Sequence, residues 1–79
     1  MADLTNANFA SSSLKEADFQ NARLNGTNFS NANLSGANFQ NTNLINVEFA
    51  GARLTGANFE GVDKSGIDFS DAITKGIKY

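Results

Sequence analysis

The sequence predicts an all-β solenoid, a four-sided parallel β-helix, and three observations lead to that prediction. A five-residue unit recurs along most of the 79 residues: small, polar, large apolar, then two polar or glycine residues. The large apolar centres alternate between Leu and Phe without error for twelve units. All seven glycines stand two residues after a centre. Units this short cannot bury an apolar face alone, so they must stack as successive coils.

Residues 31–40 show the unit twice, with centres at Leu34 and Phe39. The residue two before each centre is small or β-branched, and it shares a face with the centre because side chains two apart point the same way. We therefore expect both positions to face inward. The predicted core consists of the centres Leu4, Phe9, Leu14, Phe19, Leu24, Phe29, Leu34, Phe39, Leu44, Phe49, Leu54, Phe59 and Phe69.

The position two residues after each centre predicts the corners. Gly, Asn and Asp are concentrated there, Asp71 included, and these residues favour the positive φ that type II turns require. A helix is excluded because a five-residue step rotates about 140° around it, so the centres would not form a stripe. One long strand is excluded because turn residues would interrupt it in every unit.

The alternation of Leu and Phe predicts the number of sides. A three-sided coil would stack Leu on Phe, whereas a four-sided coil of 20 residues stacks like on like. A two-sided coil also stacks like on like but leaves little interior room. Coils about 4.8 Å apart would allow offset stacking of the rings. We number the four sides by the columns they carry. The column of the first side ends at Lys64 above Leu44, that of the second at Phe69 above Phe49, that of the third at Thr74 above Leu54 and that of the fourth at Tyr79 above Phe59.

Composition limits the classes of function. The length of 79 residues predicts one domain. Without cysteine, the chain has no disulfide or thiolate metal site. A net charge of −2 gives no reason to expect nucleic acid or a membrane as partner. No apolar run approaches the roughly 20 residues of a membrane span. The N-terminus lacks the features of a signal peptide, so a cytoplasmic location is predicted unless a leader was removed.

The repeated Ala-(Asp/Asn)-(Leu/Phe)-X-X unit, over about residues 2–71, resembles that of the pentapeptide repeat proteins. The resemblance implies a right-handed quadrilateral parallel β-helix, here of about four coils of four units each. It implies a single domain over residues 1–79 with an irregular C-terminal end at about 72–79. The best-understood members resemble duplex DNA in shape and charge, and they protect or inhibit a type II topoisomerase.

Charged residues supply no catalytic constellation. With no His or Cys, a nucleophile would depend on a carboxylate or Lys as its base, and no cofactor or metal is expected. Asp residues just before a centre should face solvent or bond to the corner backbone. A partner-binding acidic strip is one interpretation of the second side, and scattered charges for solubility are the other. The strip would comprise Glu48, Asp68 and Asp71.

The repeat decays at the C-terminal end. Lys64 and Thr74 occupy inward positions, and a buried-register lysine would oppose endless stacking of coils. Four apolar residues there either fold over the last coil as a cap or form a patch that pairs end to end with a second copy. They are Ile67, Ile73, Ile77 and Tyr79.

Three functional hypotheses remain open. The first is a non-catalytic structural or protein-interaction module that presents flat polar faces to an unidentified protein. The second is a DNA-mimicking regulator of a type II topoisomerase or of another DNA-binding protein, although DNA mimicry calls for a dense anionic array. The third is a designed or consensus repeat scaffold, because the Leu and Phe alternation is unusually regular.

Overall fold

Parallel bridges between residues twenty positions apart organise the molecule. In the computed structural model, which describes residues 2–79, Asp3 bridges Arg23 and Arg23 bridges Asn43. The same offset recurs on the other sides, for example from Asn38 to Asn58. Each bridge joins the residue before one centre to its equivalent one coil later. One coil therefore contains four five-residue units, as the alternation of Leu and Phe predicts.

The β-structure is reduced to its shortest form. Within residues 2–79 there is no helix, and the pairing consists of isolated single-residue bridges rather than longer strands. A corner in every unit leaves only about three residues to each side, too few for a strand of the usual five or six. Backbone hydrogen bonds still join the coils: Leu24 N–H donates to Asn43 O at 3.0 Å, and Gly26 N–H donates to Ile45 O at 2.8 Å.

The corners have the predicted backbone geometry with one exception. The positions two after a centre have φ between +57° and +86°, including Ser11 and Glu16, whose side chains do not favour it. Asp71 is not among the residues with positive φ, so that part of the prediction is wrong there, although the turn itself forms and Ala72 N–H donates to Phe69 O at 2.9 Å. Gly51 N–H donates to Asp71 O at 2.9 Å, where the repeat would use Ser70 O. The last coil therefore turns differently at this corner.

Side-chain amides and carboxylates fix the outward positions. Asn38 Oδ1 accepts from Gln40 N–H at 2.9 Å, and Asn58 Oδ1 accepts from Glu60 N–H at the same distance. This Asx arrangement satisfies a corner amide with a local acceptor. It explains why Asn and Asp so often precede a centre. The same bond is made by Asp3, Asn8, Asp18, Asn28, Asn33, Asn43, Asp63 and Asp68.

The interior contains two facing columns of phenylalanine rings. Rings one coil apart in a column are stacked, with centroids 4.8–5.8 Å apart. Rings in opposite columns meet edge to face at 5.4–6.1 Å, which the column argument did not predict. The buried centres are Phe19, Leu24, Phe29, Leu34, Phe39, Leu44, Phe49, Leu54 and Phe59, while Leu4, Phe9, Leu14 and Phe69 are half-buried at the two ends.

Two corner glycines give a matched test of the stacking. A Cβ at Gly51, where φ is +73°, would collide with Asn31 Oδ1, whereas a Cβ at Gly56, where φ is +68°, meets nothing within 4 Å. We expect Gly56→Ala to lower the free energy of unfolding by about 1–2 kcal/mol through positive φ alone. Gly51→Ala should lose roughly 1 kcal/mol more, because the Asn31 side chain must move. Equal losses in urea denaturation would contradict this contact.

Candidate interaction site

The hydrogen bonding between coils is interrupted at one place, which we call the open seam. It separates residues 41–49 from residues 60–68. Within residues 2–79, the N–H groups of Leu44 and Asn46 have no backbone acceptor, unlike those of Leu24 and Gly26 one coil below. The N–H groups of Asn41 and Phe49 and the carbonyls of Thr42 and Val47 also lack the inter-coil partners that the repeat would supply.

Lys64 departs from the leucine column at the open seam. It occupies the position above Leu44 where the column calls for another leucine, but burying an unpaired ammonium group is costly. Its Nζ instead donates to Val62 O at 3.0 Å and lies 5.4 Å from the centroid of the Tyr79 ring. The side chain therefore bonds to its own coil and contacts the chain end. Leu44 therefore has no leucine above it in the column, although its own side chain is buried.

The open seam encloses a wedge-shaped space. A cavity of about 480 Å³ lies between residues 42–46 of the lower coil and residues 61–66 of the upper coil. On the second side the Phe49 and Phe69 rings remain stacked at 5.8 Å, although the Phe49 N–H still lacks its inter-coil acceptor within residues 2–79. The coils rejoin at the next corner, where Gly51 N–H donates to Asp71 O at 2.9 Å, and on the third side, where Leu54 N–H donates to Ile73 O at 2.7 Å. The lining residues are Thr42, Asn43, Leu44, Ile45, Asn46, Gly61, Asp63, Ser65 and Gly66.

Asp63 is the one charged side chain among those lining residues. Its Oδ1 accepts from Ser65 Oγ–H at 2.7 Å and from Ser65 N–H at 3.0 Å. These bonds, the hydroxyl first, hold the pKa of Asp63 below its ordinary value, with a smaller contribution from the charge of Lys64. Hydrogen bonds from Ser70 likewise lower the pKa of Asp68. Both carboxylates are therefore ionised at neutral pH.

The Ser65 hydroxyl gives a prediction about pH. Ser65→Ala should raise the pKa of Asp63 toward its ordinary 3.8, because the largest cause of its depression is removed. In the parent, the associated stabilisation is fully present above that ordinary value and is lost as pH falls through the lowered one. An NMR titration of the Asp63 carboxyl carbon measures the shift. Ser70→Ala, which affects Asp68, should leave the Asp63 titration unchanged.

The predicted acidic strip lies beside the open seam. Glu48 and Asp68 occupy outward positions on the second side, one coil apart, and both are exposed. Asp71 is exposed at the corner that follows. The bridge ladder through Asn28 and Glu48 does not continue to Asp68, because this is where the coils separate. The strip and Asp63 thus border the same break in the stack.

The four apolar residues at the C-terminal end are in different environments. Ile67 and Ile77 are half-buried and pack against the core. Ile73 is 50% exposed and bridges Arg53 on the outside of the third side. Tyr79 is 63% exposed, and its ring lies beside Lys64. Of these four residues, only Ile67 and Ile77 are placed to cover the last coil.

Two structural features are absent from the described part of the chain. Among residues 2–79, no three Asp or Glu side chains lie close enough together to form a metal site. No helix in that range has the length and apolar character needed to cross a membrane.

The repeat, its twenty-residue register and its inward Leu and Phe columns agree with a known family. The family model described as pentapeptide repeat region matches residues 1–78. The chain belongs to the pentapeptide repeat family. Among curated protein sequences, none matches it significantly.

Solved structures of pentapeptide repeat proteins are similar to this chain. HetL, a protein involved in heterocyst differentiation regulation in Nostoc sp. strain PCC 7120, is 26% identical over 96% of the chain, with a TM-score of 0.63. The alr5209 protein of Nostoc PCC 7120 is 29% identical over 89%, with a TM-score of 0.52. QnrB1, a plasmid-mediated fluoroquinolone resistance protein, is 26% identical over 90%, with a TM-score of 0.50.

The pentapeptide repeat chain described here is shorter than these proteins. It spans 38% of the HetL chain, 62% of the alr5209 chain and 44% of the QnrB1 chain. The similarity therefore concerns the repeat itself.

Proposed function

We propose that this pentapeptide repeat chain is a non-catalytic structural or protein-interaction module, built as a right-handed quadrilateral β-helix of about four coils. One observation carries the proposal: the outward Asn and Asp side chains form rows held in place by their Asx hydrogen bonds. Asn38 and Asn58, one coil apart, are fixed in this way. Binding to a rigid polar face orders few additional side chains, which lowers the entropic cost of association.

Affinity capture with matched variants tests this proposal. The parent chain, an acidic-strip variant and a third-side variant are immobilised, and captured proteins are identified by mass spectrometry. A protein bound by the parent and lost with only one of the variants supports a binding face. Saturable turnover of a metabolite by the purified chain would overturn the non-catalytic assignment. The strip variant is Glu48→Gln, Asp68→Asn, Asp71→Asn, and the third-side variant is Lys15→Gln, Arg53→Gln, Lys75→Gln.

End-to-end pairing of two copies is part of the same proposal. Ile67, Phe69 and Ile77 face inward yet are only half-buried, so the last coil presents apolar surface that a second copy would cover. Light scattering should then give twice the chain mass of 8.4 kDa. Ile77→Lys should return it to the monomer mass, whereas Ile73→Lys, on the outside of the third side, should not. A monomer mass for the parent at high concentration would contradict the pairing.

Regulation of a DNA-binding enzyme is a second candidate function. The specific observation is the acidic strip of Glu48, Asp68 and Asp71 on exposed outward positions, together with the similarity to the fluoroquinolone resistance protein QnrB1. Carboxylates on a flat face could occupy a surface that normally contacts phosphates. A gyrase supercoiling assay measures this effect. Supercoiling unchanged by excess parent chain would exclude the candidate, and inhibition lost in the strip variant would support it.

A further inference from the structure

We propose that the open seam binds a short extended peptide segment rich in Lys or Arg, which adds to the exposed edge of residues 41–46 through main-chain hydrogen bonds. The inference rests on the proposed protein-interaction function and assigns it a site and a class of partner. Strand addition of this kind obtains affinity from the backbone and specificity from side-chain contacts.

The unpaired backbone groups have the spacing that strand addition requires. Asn43 bonds to the coil below it through two backbone hydrogen bonds: its N–H donates to Ala22 O at 3.4 Å, and its carbonyl accepts from Leu24 N–H at 3.0 Å. Thr42 O and Leu44 N–H are the equivalent pair at the open seam, and no backbone group in residues 2–79 bonds to either across the coils. A peptide residue placed opposite Asn43 can form both bonds. The peptide carbonyl that follows the corner can accept from Asn46 N–H.

The volume of the cavity in the open seam suits a short peptide segment. This volume of about 480 Å³ lies within the roughly 300–1,000 Å³ of typical ligand sites. The stacked rings of Phe49 and Phe69 fill the interior on the second side. The residues that line the cavity belong to the first side and its corners, so a peptide would enter along the first side. Ile45 lines the cavity from the lower coil and is 58% exposed. It offers an apolar contact to those peptide side chains that point toward it.

The charges around the open seam select a cationic segment. Asp63 lines the cavity as an ionised carboxylate, and Glu48 and Asp68 are exposed on the same two coils of the adjoining side. The ammonium group of Lys64 donates to Val62 O and keeps its charge, so it is one cation against these three carboxylates. Lys or Arg side chains of the peptide would therefore meet carboxylates at the cavity wall and at its border, which favours encounter and register.

Hydrogen exchange measured by NMR is the first test. The amides of Leu44 and Asn46 should exchange faster in the free chain than those of Leu24 and Gly26, their equivalents one coil below. Saturation with the peptide Lys-Val-Lys-Thr-Lys-Val-Lys-Thr should slow exchange at Leu44 and Asn46. Equal protection of both pairs in the free chain would mean that the seam is closed in solution, and it would overturn the inference.

Fluorescence anisotropy with the labelled peptide is the second test. N-methylation of alternate peptide nitrogens removes backbone donors without changing charge, and it should weaken binding at least about tenfold. Replacement of each peptide Lys by Glu should abolish binding. Asp63→Asn, which keeps the acceptor for Ser65, should weaken binding about two- to fivefold. Equal affinity of the methylated and unmethylated peptides would show charge attraction alone and would overturn the inference.

Lys64→Leu separates failure of this inference from failure of the proposed function. The substitution makes the chain more acidic, so charge attraction alone predicts tighter peptide binding. Closure of the seam by a leucine in the column predicts loss of peptide binding instead. If protein capture depends on a particular outward face while the peptide binds neither chain, the interaction function stands and the seam assignment falls. If the peptide binds the parent and is lost with Lys64→Leu, the assignment is supported.

Discussion

Phe39→Ala is expected to lower the free energy of unfolding by about 3–5 kcal/mol, the usual cost of deleting a buried aromatic ring. The Phe39 ring is completely buried and contacts four other rings. It stacks on Phe19 at 5.2 Å and on Phe59 at 4.8 Å, and it meets Phe29 and Phe49 edge to face. In a solenoid, stability depends on the interfaces between neighbouring coils, and this ring joins three coils across two such interfaces.

Asn38 is the matched control for this substitution. It immediately precedes Phe39, points outward and accepts one hydrogen bond from Gln40 N–H at 2.9 Å. Asn38→Ala should therefore cost only about 0.5–1.5 kcal/mol, and Asn38→Asp, which keeps the acceptor, should cost less. Urea denaturation followed by circular dichroism measures all three variants. Comparable losses for Phe39→Ala and Asn38→Ala would contradict the inward and outward assignments.

Periodicity was sufficient to predict the coil because it records which side chains share a face. The interval from Leu24 to Leu44 predicted twenty residues per coil, and the Arg23–Asn43 bridge confirms that offset. Gly51 and Asn31 predicted corners with positive φ, and both have it. In each case the residue type reports a local constraint, either burial or backbone geometry, that holds wherever the unit occurs.

Features that depend on interactions between units could not be predicted in the same way. Lys64 stood out in the sequence as a departure from the leucine column, yet its consequence for the backbone bonds of Leu44 and Asn46 requires the structure. The acceptor shift from Ser70 to Asp71 at the Gly51 amide is also invisible in the repeat. Tyr79 kept the register of the phenylalanine column, but its ring lies beside Lys64 and is largely exposed. Each of these features depends on the hydrogen-bond or packing partner that the backbone group or side chain has in the last coil.

Lys64→Leu is expected to raise the free energy of unfolding by at least about 1 kcal/mol. Burial of a leucine above Leu44 contributes about 1.5–3 kcal/mol, and each backbone hydrogen bond restored across the seam adds about 0.5–1.5 kcal/mol. The lost contact between Lys64 Nζ and the Tyr79 ring offsets about 0.5–1 kcal/mol of this gain. A single substitution should thus stabilise the chain, because it removes the group that keeps the last coil from closing.

Two controls isolate this effect. Lys15→Leu makes the same chemical change at an exposed outward position, and it should leave stability within about 0.5 kcal/mol of the parent. Lys64→Gln removes the charge without supplying an apolar side chain and should stabilise less than Lys64→Leu. Slower exchange at the Leu44 and Asn46 amides should accompany the gain, because those groups acquire carbonyl acceptors when the seam closes. If Lys64→Leu stabilises the chain no more than Lys15→Leu does, the lysine is not what holds the seam open.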